Sequence, residues 1–433
     1  MNYHLLRYTM PITLRLYFKK IFFVNLENIP KKGPVILASM HPNSFIDDFV
    51  IGIFAGRKLR FLARGDVFAT KIARFFLASM RVSPVYRAMD NAQDVKKNLD
   101  AFNIYTNTLK KKGTLLIHSE GICVVEKRVR RLKKGTGRIA FGAEEANDFK
   151  LGVQIVPISL NYTNAPKIRE NLMAQCGKPI LVSDYKDLYL ENPAKAINAL
   201  NEDIYGALTE GAIVIEEKES EETAEYCLEV ARNNNLKAAL PIVSKDSSAF
   251  ELENKVTKRV NHLYSASQNS FLELKEQTHI YFKKLNKFKI TDKQVAINPD
   301  SYGWQLLALV LMGPLFVLGY VSNILPIYLG RKVADKVVKT VEFYGSVYVG
   351  ASWLFVQIYY IILLVIAGLM FGVTGIITIV ALGIVGFWSV LLRDQYLLLF
   401  DRIRFVTFKN KQANELALLQ TERANINSAI ESE

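Results

Sequence analysis

The chain has 433 residues, of which 50% are hydrophobic, and a formal net charge of +14 at pH 7. This length allows two or three domains. A strongly basic protein favours polyanionic partners, either nucleic acid or the anionic face of a membrane. The sequence has no zinc-finger spacing, helix-turn-helix signature or RNA-binding motif. We therefore expect membrane lipids as partners, and no nucleic acid.

The cysteines limit the kinds of site that the chain can hold. Cys123, Cys176 and Cys227 occur at unrelated spacings, which argues against both a disulfide framework and a zinc site. So few cysteines also fit a reducing compartment.

Residues 1–24 mix aromatic and aliphatic side chains with cations. This pattern predicts an amphipathic helix that lies at the membrane surface and is broken near Pro11. An ordinary helix docked on the protein core is the alternative. Because Arg7, Arg15, Lys19 and Lys20 interrupt every apolar stretch, we expect no signal peptide.

Residues 25–189 alternate short apolar runs with amphipathic stretches. This alternation predicts an α/β domain in which helices flank a mainly parallel sheet, with the site at the carboxyl ends of the strands. The strand candidates are residues 34–38, 59–63, 82–86, 114–118 and 154–160.

Residues 190–303 are charged and follow the helical period, with few strand signals. They predict a helical arm, in which residues 271–285 form a clear amphipathic helix.

Residues 304–404 contain two very apolar blocks. The second is long enough for two spans, and we predict a helical hairpin of residues 345–370 and 373–392. Residues 304–329 contain Pro314 and Pro326, which favour a broken, re-entrant segment over a third full crossing.

The cations that flank the apolar blocks belong in the cytoplasm by the positive-inside rule. We therefore expect an integral membrane protein, in the inner membrane if the cell is bacterial, with its active site on the cytoplasmic face. Residues 405–433 are then a polar cytoplasmic tail.

The most informative motif begins at His41, directly after the apolar run Val35–Ala38, and it ends at Asp47. A strand here would deliver an imidazole to its carboxyl end, with a carboxylate close enough to orient it. Histidine is suited to taking a proton from a hydroxyl near neutral pH, and a carboxylate fixes its tautomer. The simpler interpretation is a surface histidine beside a helix cap.

Further clusters follow in the order Pro84–Arg87, Ile117–Gly121, Leu132–Gly135 and Val156–Tyr162. Arg87 ends a strand candidate with a guanidinium that suits a phosphate. The second cluster carries a carboxylate before a flexible glycine. The third places basic residues before a helix, whose N-terminus favours anions.

Together these motifs resemble the glycerophospholipid acyltransferase superfamily, the PlsC-type enzymes, over about residues 25–165. The apolar spans after this region are similar to those of a branch that contains fungal glycerol-3-phosphate and dihydroxyacetone-phosphate acyltransferases. The resemblance implies that His41 is the base, that Asp47 orients it, and that amides of the turn after His41 stabilise the oxyanion. It implies substrate-binding roles for Asn43, Ser44, Arg87, Glu120, Gly121 and Lys133. The acyl donor would be acyl-CoA or acyl carrier protein, with no cofactor or metal.

The sequence departs from the family pattern at three points. Five residues rather than four separate His41 from Asp47, so the usual position holds Ile46, and Asp48 is a second candidate. Ser119 replaces the proline before Glu120. Ile122 and Cys123 replace the usual Thr-Arg, so the phosphate contact would fall to Arg128 or Lys133.

The preferred hypothesis is a membrane-bound O-acyltransferase acting on glycerol-3-phosphate or 1-acylglycerol-3-phosphate in phospholipid biosynthesis. A lysophospholipid or an amino-acid lipid is an alternative acceptor. A non-catalytic tether that binds anionic lipid has no need of a His–Asp pair. A serine hydrolase is disfavoured because no Gly-x-Ser-x-Gly motif occurs. The sequence leaves the oligomeric state open.

Overall fold

The computed structural model describes residues 2–86, 98–234 and 243–431. The chain divides into two compact units. The first comprises residues 1–212, 240–247 and 337–349, and the second comprises residues 213–239, 248–336 and 350–433.

The first unit is built on a mixed, mostly parallel sheet. Its described strands are β1 (Lys20–Val24), β2 (Val35–Ser39), β3 (Leu59–Arg64), β4 (Val82–Val85), β5 (Thr114–His118), β6 (Gln154–Tyr162), β7 (Asn171–Cys176), β8 (Ile180–Leu181) and β9 (Val243–Ser244). Their order is β4-β3-β5-β2-β6-β7-β1-β9, and β8 pairs with β6. Strand β6 is antiparallel to β7 and β8, and the other pairs are parallel.

Strand β2 lies inside the sheet, with β5 on one side and β6 on the other. All five of its residues are buried, as expected for a continuous apolar run in a strand covered on both faces. The register pairs Ser39 with His118 of β5 and with Ile158 of β6. The carboxyl ends of β2 and β5 therefore meet at one edge. The predicted α/β fold is confirmed, and the five predicted strands correspond to β2–β6.

The helices of the first unit are α1 (Asn2–Tyr17), α2 (Phe45–Phe54), α3 (Lys71–Ser79), α4 (Asn98–Lys110), α5 (Gly135–Glu145), α6 (Lys186–Glu191) and α7 (Pro193–Glu210). Helix α7 packs against α5 and β6. Residues 193–210 therefore belong to the sheet-bearing unit rather than to a separate arm.

The N-terminal segment differs from the prediction in two ways. Helix α1 continues through Pro11, and residues 20–24 form strand β1 rather than the end of a helix. Strand β1 forms because its apolar side chains are buried between β7 and β9. Helix α1 buries one face, which includes Met10 and Leu14, and leaves Tyr8 and Ile12 exposed. Contact between its exposed face and a membrane stays a prediction.

The second unit is helical in its described part. Its helices are α8 (Glu221–Asn234), α9 (Ser248–Ala266), α10 (Gln268–Phe288), α11 (Asp292–Ile297), α12 (Gly303–Val337), most of α13 (Val341–Lys411) and α14 (Ala413–Glu431). The predicted amphipathic helix at residues 271–285 lies within α10.

The C-terminal segment is not the polar tail that the sequence suggested. Helix α14 contributes Leu416, Leu419, Ile426 and Ile430 to a core shared with α8, α9 and α10. These residues recur at intervals that place them on one helical face, which composition alone conceals.

In the part of the chain that the structure describes, two helices are long and apolar enough to cross a membrane, α12 with 35 residues and α13 with 71. Helix α13 is interrupted at Gly372, where φ is 60° and ψ is −142°. Two glycines after this interruption contact residues before it. Gly375 lies against the carbonyl oxygen of Ala367, and Gly383 lies against the ring of Tyr360. The two halves of α13 therefore run antiparallel, and the prediction that residues 345–370 and 373–392 both cross a membrane stays a prediction.

Helix α12 is continuous through both prolines, whereas a broken segment was predicted. Pro326 has no N–H to donate to the carbonyl of Ser322, one turn earlier. The hydroxyl of Tyr359 donates to that carbonyl instead, at 2.8 Å. A neighbouring side chain thus satisfies the carbonyl that the proline leaves free, so the helix continues.

Candidate active site

The site lies at the edge where β2 and β5 end side by side. Strand β2 ends at Ser39, and a short turn carries His41 before α2 begins at Phe45. Within this turn, Ser44 has a φ of 47°. A serine in this region is under backbone strain, which is common where a turn must hold catalytic geometry.

The structure brings His41 and Asp47 together, as the sequence analysis predicted. Nδ1 of His41 lies 3.0 Å from Oδ2 of Asp47. The same oxygen accepts from the Asn43 amide at 2.8 Å, and Oδ1 accepts from the Tyr162 hydroxyl at 2.6 Å. Five residues separate His41 from Asp47, one more than in the family pattern, and the strained turn accommodates them. Asp47 rather than Asp48 therefore faces His41.

The side chains of His41 and Asp47 differ in their exposure to solvent. The side chain of Asp47 is fully buried, whereas that of His41 is 19% exposed. Nδ1 faces the carboxylate, so Nε2 is the ring nitrogen on the side away from Asp47. Burial raises the pKa of Asp47 to about 7, although the charge of His118 and hydrogen bonds from Tyr162 and Asn43 act in the opposite direction. The carboxyl group of Asp47 therefore changes its charge near neutral pH.

A second histidine, to which the sequence analysis assigned no role, lies against the first. The rings of His41 and His118 are stacked, with centroids 3.7 Å apart and planes inclined by 14°. Nε2 of His118 lies 3.1 Å from Oδ1 of Asp48. The available signal was a second histidine at a strand end together with a second aspartate in α2.

Glu120 was predicted to contact substrate, but both of its oxygens are occupied by backbone amides. One accepts from His41 at 3.0 Å and the other accepts from Arg130 at 2.8 Å. Burial raises the pKa of this carboxyl group, although the two amide hydrogen bonds lower it. Glu120 therefore holds the His41 backbone in place. The next residue, Gly121, has a φ of 71°, so glycine is favoured in this turn.

Asn43 and Ser44, also predicted to bind substrate, are buried in the turn, with 1% and 2% exposure. The side-chain amide of Asn43 donates to the carbonyl of Ala165 at 2.9 Å. The geometry gives both residues a structural role.

The turn amides do not support the predicted oxyanion contacts at four positions. The amide of Asn43 binds Asp47 and that of Ser44 binds the sulfur of Cys123. The amide of Ile46 binds Asn43 and that of Asp47 binds Ser44. The Asn43 amide thus donates to the Asp47 carboxylate, whereas the other three amides stabilise the turn itself.

The three predicted phosphate ligands, Arg87, Arg128 and Lys133, differ in what the structure shows of them. The exposed side chain of Lys133 passes beside Gly121, where an added Cβ would lie 2.9 Å from Lys133 Cγ. Arg128 lies 3.6 Å from a carboxylate oxygen of Glu126. Arg87 lies outside the described residues. Lys133 is therefore the predicted phosphate ligand that the structure places beside the Glu120–Gly121 turn.

The first turns of α13 complete the back of the site. The hydroxyl of Ser346 donates to the carbonyl oxygen of Asn43 at 3.0 Å and accepts from the Ile46 amide at 3.0 Å. Neighbouring Gly345 permits this approach, because a Cβ there would lie 2.5 Å from the Tyr17 hydroxyl. Sequence reasoning missed Ser346, since about 300 residues separate it from its partners.

Among the residues that the structure describes, no group of three or more His, Cys, Asp or Glu side chains is arranged to hold a metal ion. Cys123 is a free cysteine, and burial raises the pKa of its thiol. A thiol held protonated in this way is a poor nucleophile.

Comparison with known proteins gives a domain-level match. No curated protein matches the chain. Among solved structures, the chain is similar to the crystal structure of the 1-acyl-sn-glycerophosphate (LPA) acyltransferase PlsC from Thermotoga maritima. The identity is 16% and the TM-score is 0.34, over 46% of this chain and 78% of that one. The family model "Acyltransferase" matches residues 20–161, a range that contains His41, Asp47, His118 and Glu120. Residues 20–161 are therefore similar to an acyltransferase domain.

Proposed function

We propose that this protein is a membrane-bound O-acyltransferase that transfers a fatty acyl group from a thioester to glycerol-3-phosphate or 1-acylglycerol-3-phosphate. The observation that carries the proposal is the His41–Asp47 pair, with its 3.0 Å contact, inside the matched acyltransferase domain. A lipid-binding tether would gain nothing from an ordered imidazole beside a buried carboxylate.

In the proposed reaction, Nε2 of His41 takes the proton of the acceptor hydroxyl as its oxygen attacks the thioester carbonyl. Asp47 stabilises the imidazolium that forms. The tetrahedral intermediate then collapses, the C–S bond breaks, and the departing thiolate takes the proton from His41. Because a thiol has a pKa of about 8.5, the thiolate leaves without a strong acid catalyst.

The acceptor phosphate needs a cation near the site. The exposed Lys133 beside Gly121 fits this role, and we retain Arg87 as a second ligand. Ile122 and Cys123 supply no cation directly after Gly121. That departure keeps a lysophospholipid or an amino-acid lipid as an alternative acceptor.

The membrane part of the proposal rests on α12 and α13, whose most apolar windows are only 11% and 6% buried by protein. Such surfaces are stable in lipid. The cationic residues flanking these helices favour a cytoplasmic active site.

Acyl transfer by purified protein tests the proposal. Wild type, His41→Ala and a control, His262→Phe, are assayed with radiolabelled acyl-CoA and then with acyl carrier protein as donor. His262 is an exposed residue of α9. Glycerol-3-phosphate, its 1-acyl form and a neutral lysophospholipid are offered in parallel.

We expect a labelled phosphorylated acceptor with wild type and His262→Phe, and a loss of about 10²–10⁴-fold in His41→Ala. An active, folded His41→Ala protein would overturn the mechanism. Wild-type protein that labels no acceptor with either donor would contradict the enzymatic function.

A further inference from the structure

Resting on the proposed function, we propose that His118 is a positioning residue for the reaction. It is held as an imidazolium by Asp48 and the Met40 carbonyl, and it is stacked on His41. In this position it fixes the plane of the His41 ring and keeps His41 unprotonated until the acceptor arrives.

The hydrogen bonds of His118 determine its charge. Nδ1 lies 3.0 Å from the carbonyl oxygen of Met40, which only accepts, so Nδ1 carries a proton. Nε2 lies 3.1 Å from Oδ1 of Asp48. An ionised carboxylate also only accepts, so Nε2 carries a proton as well. A ring protonated at both nitrogens is a cation.

The charged groups around His118 act in the same direction. Burial lowers its pKa, but the charges of Asp48 and Asp47 and the hydrogen bonds to Asp48 and Met40 outweigh burial, so the pKa is raised. Asp47 and Asp48 lie on α2, and Glu120 follows β5 and also interacts with His118. Asp47, Asp48 and Glu120 therefore all favour the charged form of the ring.

Because both nitrogens of His118 are engaged, this residue acts through His41 rather than on the substrate. A cation at 3.7 Å opposes a second positive charge on His41. Before reaction it favours the neutral base. After the proton is taken, the same repulsion favours its transfer to the leaving thiolate. The stack also prevents rotation of the His41 ring out of line with Asp47.

The test combines pH–rate profiles with NMR of the ring nitrogens. The chain has five histidines, so the signals can be assigned from single substitutions. His118→Phe keeps an aromatic ring without charge and leaves Asp48 unpaired. Asp48→Asn removes the carboxylate and leaves His118 neutral. His262→Phe is the control.

In wild type we expect the His118 ring to carry two protons across the pH range in which His41 is neutral. In His118→Phe the acidic limb of kcat/KM moves to higher pH by about one to three units. In Asp48→Asn the acidic limb moves less. The double variant, which combines His118→Phe with Asp48→Asn, should have the same profile as Asp48→Asn alone. In His262→Phe the acidic limb stays in place.

A neutral His118 at pH 7 in wild type, or a His118→Phe profile equal to wild type, would overturn the proposal. These outcomes differ from failure of the proposed function. Wild-type protein without transferase activity would contradict that function, while the NMR titration would still decide the charge of His118. Because that titration uses wild type, the test stands even if His118→Phe does not fold.

Discussion

Tyr162, the last residue of β6, donates its hydroxyl to Oδ1 of Asp47 at 2.6 Å. Asp47 is thus held from two sides, by Tyr162 and by the turn that carries His41. Its carboxyl group is fully buried, and burial raises its pKa to about 7. The ionisation of this group therefore falls in the range where the protein is expected to work.

This predicts how activity depends on pH. Below about pH 7 Asp47 gains a proton and no longer stabilises a cationic His41, so kcat/KM should rise as pH increases through 7. Tyr162→Phe removes a donor that favours the carboxylate, so its acidic limb should lie at higher pH. Tyr226→Phe, which loses only an exposed contact with Glu222, is the control. A flat profile between pH 6 and 8 would contradict the role of Asp47.

The same group predicts the pH dependence of stability with the opposite sign. An acid whose folded pKa is raised keeps its proton in the folded state after the unfolded chain has lost it. The contribution of Asp47 to stability should therefore be largest below about pH 4 and fall as pH rises to about 7. The measurement is the difference in Tm between wild type and Asp47→Asn across this range. A difference independent of pH would refute it.

Two glycines of α13 form a matched pair. In Gly345→Ala the new Cβ would lie 2.5 Å from the Tyr17 hydroxyl and 3.2 Å from Ile46 Cδ1, whereas a Cβ added at Gly350 would have nothing within 4 Å. We expect Gly345→Ala to lower the free energy of unfolding by about 1–3 kcal/mol and to reduce kcat. Gly350→Ala should be neutral, or more stable by up to about 1 kcal/mol. Thermal unfolding and acyl transfer check both, and equal effects would show that the contact at Gly345 is unimportant.

A double-mutant cycle tests how α12 tolerates Pro326. Tyr359→Phe leaves the Ser322 carbonyl without its donor and should cost about 1 kcal/mol of unfolding free energy. Pro326→Ala restores an N–H one turn after Ser322, so Tyr359→Phe should cost little in that background. The measurement is reversible unfolding in detergent. An additive cycle would mean that Tyr359 does not replace the missing hydrogen bond.

Arg87, which the sequence predicts to bind the acceptor phosphate, can be tested by substitution. Arg87→Ala should raise the KM for a phosphorylated acceptor about 10-fold or more and leave kcat nearly unchanged, because a charge-assisted contact is lost. Lys133→Ala should act in the same direction, and Lys178→Ala, in an exposed loop after β7, should not. An unchanged KM in Arg87→Ala would place the phosphate elsewhere.

The central strands and the His41–Asp47 pair could be predicted because their signals are local. A continuous apolar run marks β2, and a histidine and a carboxylate follow within the next eight residues. Strand β1 could not be predicted in the same way. Its residues follow a basic amphipathic helix, and they become a strand only by pairing with β7, about 150 residues later.

The second histidine shows a different limit. His118 contacts His41 because β5 lies beside β2 in the sheet, although β3 and β4 come between these two strands along the chain. Glu120 shows another limit of prediction. A carboxylate at a strand end suggests a substrate ligand, but the structure shows that both of its oxygens accept from backbone amides. Such roles depend on which strands are neighbours.

The contact between Ser346 and the His41 turn can form only late in synthesis. About 300 residues, including all of α12, must leave the ribosome after the turn before Ser346 can reach it. A ribosome-bound chain that ends before α13 therefore lacks one wall of its site. The completed site thus depends on synthesis having passed α12, the first candidate membrane helix.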